Sequence, residues 1–527
     1  KIMTGEKPAV VKKQLAESSA VGGKTIDFFG SFVITVNNLA GPGMLGLPLV
    51  YQEAGWFTPT LFLIFVAVVS SFASTMFCEA MALVPGNSRF QHRLEFATLI
   101  KHYYGQYWYI ACQFLYNLSL QILNIASILV SAQVMDEFVV FIFGKSYALQ
   151  FTPDVAWIST EVSSGTPFED AGILISLGYM VTLIMLMPMG FLNLDENIYF
   201  QYISWIVLVG CLGEFIWQFF ENGLDTSQTP AFGDNQTNVL GVIIFSFTYV
   251  VTVPSWCNEK RDDVSVNKAI WSSAFVCTVG YIVIGILGAW AYPGLQYANV
   301  LTSMGGPEST VVTRVFVYIF SIGVIGLGIP LFSIYIRYNL YVGGVLGAKW
   351  SAFWGAVFPW LISFLLYSGK GFTMFENWSA LIVNGFINFV VPFIVFLKAK
   401  KEHHANMLRN QDAEALNHAG DYSVIASTTL NLDSSDADSI LDDEDDDFQP
   451  LLPPSKRSVS TMSFGADETN KSRSSFLRLL DDPRRHRSLP IQVERRLNYQ
   501  ILPWAMGVLI TLGILAAIGI NIYEAVQ

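Results

Sequence analysis

Eleven long apolar stretches recur along the chain, at about 28–51, 57–83, 107–133, 171–190, 197–219, 239–257, 270–292, 311–336, 352–368, 378–397 and 501–522. About 20 apolar residues in a helix cross the hydrocarbon core of a bilayer. In lipid every backbone polar group must be satisfied internally, which leaves such a chain the helix as its spanning unit. Only 14% of residues are charged, against roughly 25% in soluble domains, and a soluble multi-domain enzyme is excluded on that ground. Trp56, Trp108, Trp217, Trp290, Trp378 and Trp504 stand at span ends, where an interfacial belt is expected.

The net charge of −12 is local. Residues 410–450 hold twelve acids, Asp412 to Asp447, and no Lys or Arg, so the rest of the chain carries 30 acids and 30 bases. No basic face points to nucleic acid. With the N-terminus in the cytosol, only Lys145, Arg314 and Lys370 fall on the far side, which satisfies the positive-inside rule and gives an N-in, C-out topology. The loop 220–238 then lies outside with the sequon Asn235-Gln236-Thr237, a glycosylation candidate. Asn377-Trp378-Ser379 lies too near the membrane, and Asn117-Leu118-Ser119 lies inside a span. Cys78, Cys112, Cys211, Cys257 and Cys277 fall in or beside apolar runs with no metal-binding or redox spacing. The polar opening residues hold no leader core, so insertion is expected to use the internal spans.

The expected organisation is a cytosolic segment over 1–27, a ten-helix core over 28–398, a disordered acidic cytosolic loop over 399–498, and an eleventh helix with a short luminal or extracellular tail over 499–527. Ten core helices divide into five plus five, the number expected of an inverted-repeat transporter.

Span one contains Asn37-Asn38-Leu39-Ala40-Gly41-Pro42-Gly43-Met44-Leu45-Gly46-Leu47-Pro48 at mid-bilayer depth. Pro42 removes an N–H and clashes with the preceding turn, so a regular helix cannot continue there. Freed backbone groups in lipid require a polar cavity. The half-helix that follows presents N–H groups, Gly43 and Met44 among them, suited to a carboxylate. A packing kink is the alternative. Span six repeats the pattern with Phe245-Ser246-Phe247-Thr248-Tyr249 and with Pro254 closing it as Pro48 closes span one. Paired interruptions in the two halves are the best sequence pointer to a transporter's binding site, although Ser246 and Thr248 could equally bond their own helix. Gln113, Asn117, Gln121, Asn124, Ser127 and Ser131 form one polar face of span three, which fits either a wet path or interhelical packing. The acids expected within spans are Glu79, Glu214 and Glu376. The first two are proton-coupling candidates, with snorkelling the alternative for Glu79.

Three stretches, Asn37 to Pro48, Phe245 to Asp262 and Gly328 to Arg337, resemble the amino acid/auxin permease family of the amino acid-polyamine-organocation superfamily. The resemblance covers about residues 25–400 and the final span. It implies an all-α polytopic, LeuT-like fold, a 5+5 inverted repeat with an eleventh transmembrane helix, and secondary transport of amino acids driven by protons or sodium. Sodium-coupled relatives pair an Asn of span one, matched by Asn37, with a Thr before the Pro of span eight. This chain has Gly326 and Gly328 there, with Ser321 as the nearest substitute, which favours protons or uncoupled exchange over sodium. No cofactor is expected.

In the acidic loop, Asp447-Phe448-Gln449-Pro450-Leu451-Leu452 resembles an acidic dileucine signal and Tyr422-Ser423-Val424-Ile425 a tyrosine-based one, readable by clathrin adaptors and favouring an endolysosomal over a plasma membrane. Phosphorylation of Ser488, flanked by Arg485 and Arg487, would resemble a 14-3-3 site. The leading expectation is amino-acid transport by alternating access. The substrate carboxylate would sit on N–H groups of Gly41 to Met44 and its ammonium on carbonyls near Asn37, Phe245 and Ser246, with Asn38 in the same cluster. Asn117, Gln121, Phe247 and Thr248 would set selectivity. A sensor signalling through the cytosolic loop and a passive channel are the alternatives.

Overall fold

The computed structural model describes residues 23–161, 167–168, 172–295, 299–306, 309–367, 380–432 and 501–526. Glu376, Asn377, Asp447, Leu451, Leu452 and Ser488 lie outside the described residues; Tyr422 lies on a described helix backbone. Contacts divide the chain into a main unit, residues to Leu397 with those from Pro483 onward, and a second unit, Lys398–Asp482.

Among the described residues, nine helices are long and apolar enough to span a membrane, and a tenth span arises if the bent pair Phe28–Leu39 and Pro42–Ala54 is one crossing. They fall on the apolar stretches of the sequence: Phe57–Ala82, Gln106–Phe143, Leu194–Asn222, Val239–Glu259, Val266–Ala291, Val311–Val342, Ala348–Leu366, Leu381–Gln411 and Ile501–Gly519. The expected fourth span is only the short apolar helix Leu177–Phe191, so eleven crossings are reached only by counting it. The spans keep the ordinal numbers of the sequence segments below.

Span three runs ten residues past its expected end at 133, because Asp136 and Glu137 are buried rather than turned to water. Asp136 is fully enclosed and accepts from Ser146 Oγ at 2.5 Å, Tyr367 Oη at 2.5 Å, Gly178 N at 2.8 Å and Ser176 Oγ. Four donors satisfy a carboxylate that would otherwise be too costly to bury. These contacts organise an element absent from the all-helical expectation, a three-stranded antiparallel sheet. Strand β1 (Ser146–Gln150) lies between β2 (Ala156–Thr160) and β3 (Leu174–Ser176), paired Ser146↔Thr160 to Gln150↔Ala156 and Ala148↔Ser176 to Gln150↔Leu174. Beneath it Ile125, Ile128 and Leu129 of span three pack with Ala148, Leu174, Tyr179, Ile329 and Trp360.

In the second unit the described residues are helical, part of the helix Val391–Leu432, where an irregular chain was expected from 399. Ala, Glu, Leu, Lys, Gln and Arg, the strong helix formers, are frequent between 399 and 416, and Lys398 Nζ meets Glu402 Oε1 at 3.1 Å one turn on.

Candidate functional site: two broken helices

Span one is helical over Phe28–Leu39, passes through extended Gly41 (φ −89°, ψ −167°), tightens to a 3-10 turn over Pro42–Gly46 and resumes as Leu47–Ala54, bent by 47°. Span six is helical over Val239–Ser246, irregular at Phe247 to Tyr249, 3-10 over Val250–Thr252 and helical over Val253–Glu259. Pro48 and Pro254 stand in the first turns of the second half-helices, so they open those segments instead of closing the break. That is where a missing N–H costs nothing.

The two breaks touch. A Cβ on Gly43 would lie 2.6 Å from Ser246 Oγ, 3.0 Å from Ser246 Cα and 3.1 Å from Phe245 Cδ1, whereas one on Gly41 would meet nothing within 4 Å. Tyr281 of span seven, fully buried, donates to Leu39 O and to Ser246 O (3.1 Å), capping a released carbonyl in each span, and its ring meets Phe247 edge-on at 5.4 Å. Asn38 Nδ2 donates to Thr252 Oγ1 (3.0 Å) and Tyr335 Oη (3.2 Å), joining spans one, six and eight. Val251 N donates to Asn388 Oδ1 of span ten at 3.1 Å.

The sequence candidates divide on this geometry. Gly41, Gly43, Asn38, Phe245, Ser246, Phe247 and Thr248 gather at the touching breaks. Met44 N is engaged with Gly41 O at 3.3 Å by the 3-10 turn, which leaves Gly43 as the turn residue whose N–H has no acceptor within the turn. Ser246 Oγ bonds Val242 O (2.8 Å) and Thr248 Oγ1 bonds Phe245 O (2.7 Å), so both hydroxyls serve their own helix and the carbonyls of Phe245 and Ser246 are already taken. Asn37 turns away, donating to Gln201 O and Gln201 Oε1 at 2.9 Å each. Gln201 Nε2 in turn donates to Leu327 O of span eight at 3.1 Å. Asn117 back-bonds to Gln113 O at 2.7 Å and Gln121 donates to Trp354 O of span nine at 2.7 Å. At these two positions the polar face of span three bonds its own helix at Asn117 and span nine at Gln121, and neither residue hydrogen-bonds to either break. Glu79 is buried in span two; Glu214 is half-buried and accepts from Thr313 Oγ1 at 3.2 Å. Asn235 donates to Glu53 Oε2 at 3.3 Å and Thr237 of its sequon is buried.

A charged cluster that the sequence reading missed lies at the far end of span six's second half-helix. Arg93 meets Glu259 Oε1 at 2.5 Å and Glu95 Oε1 at 3.4 Å, over the face of Tyr338 at 4.5 Å. Burial works against the Arg93 cation, but the carboxylates of Glu95 and Glu259 outweigh it and raise the group above its ordinary value. The next residue, Lys260, is buried with its ammonium 5.1 Å from the Phe90 ring, and burial lowers it. Among the described residues no cluster of His, Cys, Asp and Glu could hold a metal ion.

The family model described as "Transmembrane amino acid transporter protein" matches residues 24–338, more than half of the chain. The chain belongs to that transmembrane amino acid transporter family. The match ends at the close of span eight, so both breaks, Tyr281, Tyr335 and the Arg93 cluster lie within it. No curated protein sequence matches this family member. Among solved structures, Mhp1, a nucleobase-cation-symport-1 family transporter in a closed conformation with bromovinylhydantoin bound, is similar with a TM-score of 0.50 and 11% identity, over 72% of this chain and 80% of that one. A manganese transporter from Eremococcus coleocola, in complex with an aromatic bis-isothiourea substituted compound, has a TM-score of 0.44 and 12% identity, over 75% and 81%. At 11% identity the Mhp1 likeness is one of fold. The family member is a multi-pass helical membrane protein of LeuT-like architecture, with the eleven-helix count left open by the short Leu177–Phe191.

Proposed function

We propose that this protein is a proton-coupled secondary transporter of amino acids, working by alternating access around the two breaks. The observation that carries the reading is their contact at Gly43 and Ser246, beside open space at Gly41. A free N–H at Gly43, at the start of a half-helix, suits the carboxylate of a zwitterion. Asn38 Oδ1 is buried without a hydrogen-bond partner and is the acceptor available for the ammonium. Phe247 and Thr248 border the same region and would sense the side chain.

Proton coupling is favoured over sodium by the position between Asn37 and span eight. There the Gln201 amide links Asn37 to Leu327 O, and a cation would have to displace it. The carboxylates first in line for the proton from sequence are Glu79 and Glu214. The proposal retains the N-in topology, glycosylation at Asn235 during synthesis, and endolysosomal sorting through Tyr422 and the Asp447 to Leu452 signal, which clathrin adaptors would read. It also retains a 14-3-3 contact at phosphorylated Ser488.

The test is uptake of labelled amino acids into proteoliposomes, with and without a pH gradient. Accumulation that follows the pH gradient is the expected result. Movement of no amino acid under either condition refutes transport, and saturable binding without movement would assign the protein to the sensor class instead.

A further inference from the structure

Two carboxylates share one guanidinium at the end of span six, and their hydrogen bonding differs. Glu95 is fully supplied as an anion: Oε2 accepts from Ser255 Oγ at 2.6 Å, and Oε1 accepts from Asn258 Nδ2 at 3.2 Å and lies 3.4 Å from Arg93. Glu259 is equally enclosed, with 0% of its surface exposed, yet only Oε1 is engaged, by Arg93 at 2.5 Å; Oε2 is buried with no hydrogen-bond partner. A buried anionic oxygen without a donor loses its solvation and gains nothing in return. Attaching a hydrogen to that oxygen removes its charge, and with it the larger part of the cost of burying it. The remaining charged and titratable groups facing Glu259 do not fill the gap. Asp195 at the start of span five and Glu95 add negative charge, and no hydrogen bond from the phenols of Tyr335 and Tyr338 reaches Oε2. Arg337 is committed to the carbonyls of Phe191 (2.6 Å) and Leu192, and Lys260 to Arg261 O at 3.3 Å.

We propose that Glu259 is the carboxyl that binds the driving proton, on Oε2, and that it passes the coupling to the substrate site through the second half-helix of span six. The inference rests on the proton-coupled transport reading and supplies a residue for it. Glu259 ends the helix Val253–Glu259, and the residue before that helix, Thr252, holds Asn38 of the span-one break. Its carbonyl also accepts from Ile26 N at 3.1 Å, and Lys260 bridges to Ile26, so the same point is tied to the segment leading into span one. With Glu259 ionised, the Arg93 pair fastens the loop after span two to span six. With Glu259 protonated, that pair loses its charge and the loop holds the half-helix through Glu95 with Ser255 and Asn258 alone, which loosens the end that carries Glu259. One proton from the aqueous phase enters as an O–H bond on Oε2 and leaves by breaking it on the opposite side, with no other reactant.

The test uses full-length protein in proteoliposomes. For one proton per substrate, a gradient of one pH unit sustains about tenfold accumulation, since one unit is worth 1.36 kcal/mol. Wild type is expected to reach about that ratio, and Glu259→Gln to fall to about 1 while still exchanging labelled for unlabelled amino acid within about twofold of wild type. Glu79→Gln and Glu214→Gln test the two carboxylates named from sequence in parallel. Glu259→Asp, which retains a titratable carboxyl, is expected to recover part of it. Tenfold accumulation by Glu259→Gln, or loss confined to the Glu79 or Glu214 variants, overturns the assignment, as does wild-type accumulation that follows sodium alone. Absence of wild-type exchange for any amino acid refutes the transport reading instead. A second readout needs neither transport nor a folded variant. In wild-type protein the protonated carboxyl adds across a C=N of an apolar carbodiimide, its hydrogen going to nitrogen and its oxygen to the central carbon, and peptide mass spectrometry is expected to find the adduct on Glu259, declining as pH rises. A Glu259 that takes no label at any pH from about 5 to 9 overturns the proposal.

Discussion

Replacing Gly43 by alanine tests whether the two breaks really meet. The added methyl would stand 2.6 Å from Ser246 Oγ and 3.0 Å from Ser246 Cα. The hydroxyl can rotate, since its present bond to Val242 O is a local one, but the Cα belongs to the main chain and cannot yield without moving span six. Overpacking of this kind costs about 1–3 kcal/mol. If the strain is felt only in the conformation where the breaks touch, it shifts the balance between that conformation and its alternatives by about 5- to 150-fold. Gly41→Ala is the control: its φ and ψ are accessible to any residue and its methyl would enter open space. Thermal unfolding in detergent and initial rates of amino-acid exchange, measured on both variants, separate the cases. Gly43→Ala is expected to unfold several degrees lower and to exchange at least about fivefold more slowly. Gly41→Ala is expected to keep its stability and raise the substrate KM by intruding on the site. Equal stability and exchange in Gly43→Ala and wild type would refute the contact between spans one and six on which the site is built.

Other perturbations follow from the same contacts. Tyr281→Phe removes the hydroxyl that caps Leu39 O and Ser246 O while preserving the ring against Phe247, and should cost about 1–3 kcal/mol with slower exchange; unchanged thermal stability would count against the bridging role. Burial holds the folded-state pKa of Lys260 below the ordinary lysine value of 10.5, so in the window between the two the unfolded chain binds more protons and stability rises with pH. Lys260→Met should abolish that rise and unfold at a higher temperature at neutral pH, and an identical pH slope in the two proteins would contradict it. Asp136→Ala strands four donors and should lower stability by at least about 3 kcal/mol, with faster proteolysis between residues 146 and 176; an intact loop would show that the sheet stands without its carboxylate.

The spans were legible because twenty apolar residues in lipid have one spanning solution, and the break at Gly41-Pro42-Gly43 because proline and glycine act on the local backbone. What escaped depended on partners distant in sequence. Arg93 and Glu259 are 166 positions apart, and nothing in either neighbourhood marks the other. The strands of 146–176 are three to five residues long and are organised by Asp136, whose partners lie from 10 to 231 positions away. Side-chain direction was equally hidden. Asn37 and Asn38 are adjacent, yet one faces Gln201 and the other the break, a choice made by what surrounds them. Tyr281 left one readable mark: it is the single phenol in an apolar run from Ile270 to Ala289 whose other hydroxyls are the small Ser272, Ser273 and Thr278.

Span three is 38 residues long, about 57 Å of helix at 1.5 Å per residue, against a hydrocarbon core of about 30 Å. Near one end Asp136 grips the sheet, the start of Leu177–Leu186 and Tyr367 of span nine with a single side chain. Those parts make one stator: the sheet cannot swing as a hinged cover, because any tilt would have to pull Ser146 and Ser176 off the one carboxylate that also holds Gly178 and Tyr367. Motion that admits a substrate therefore has to come from the rotor, the broken spans one and six, turning against a frame that keeps its shape.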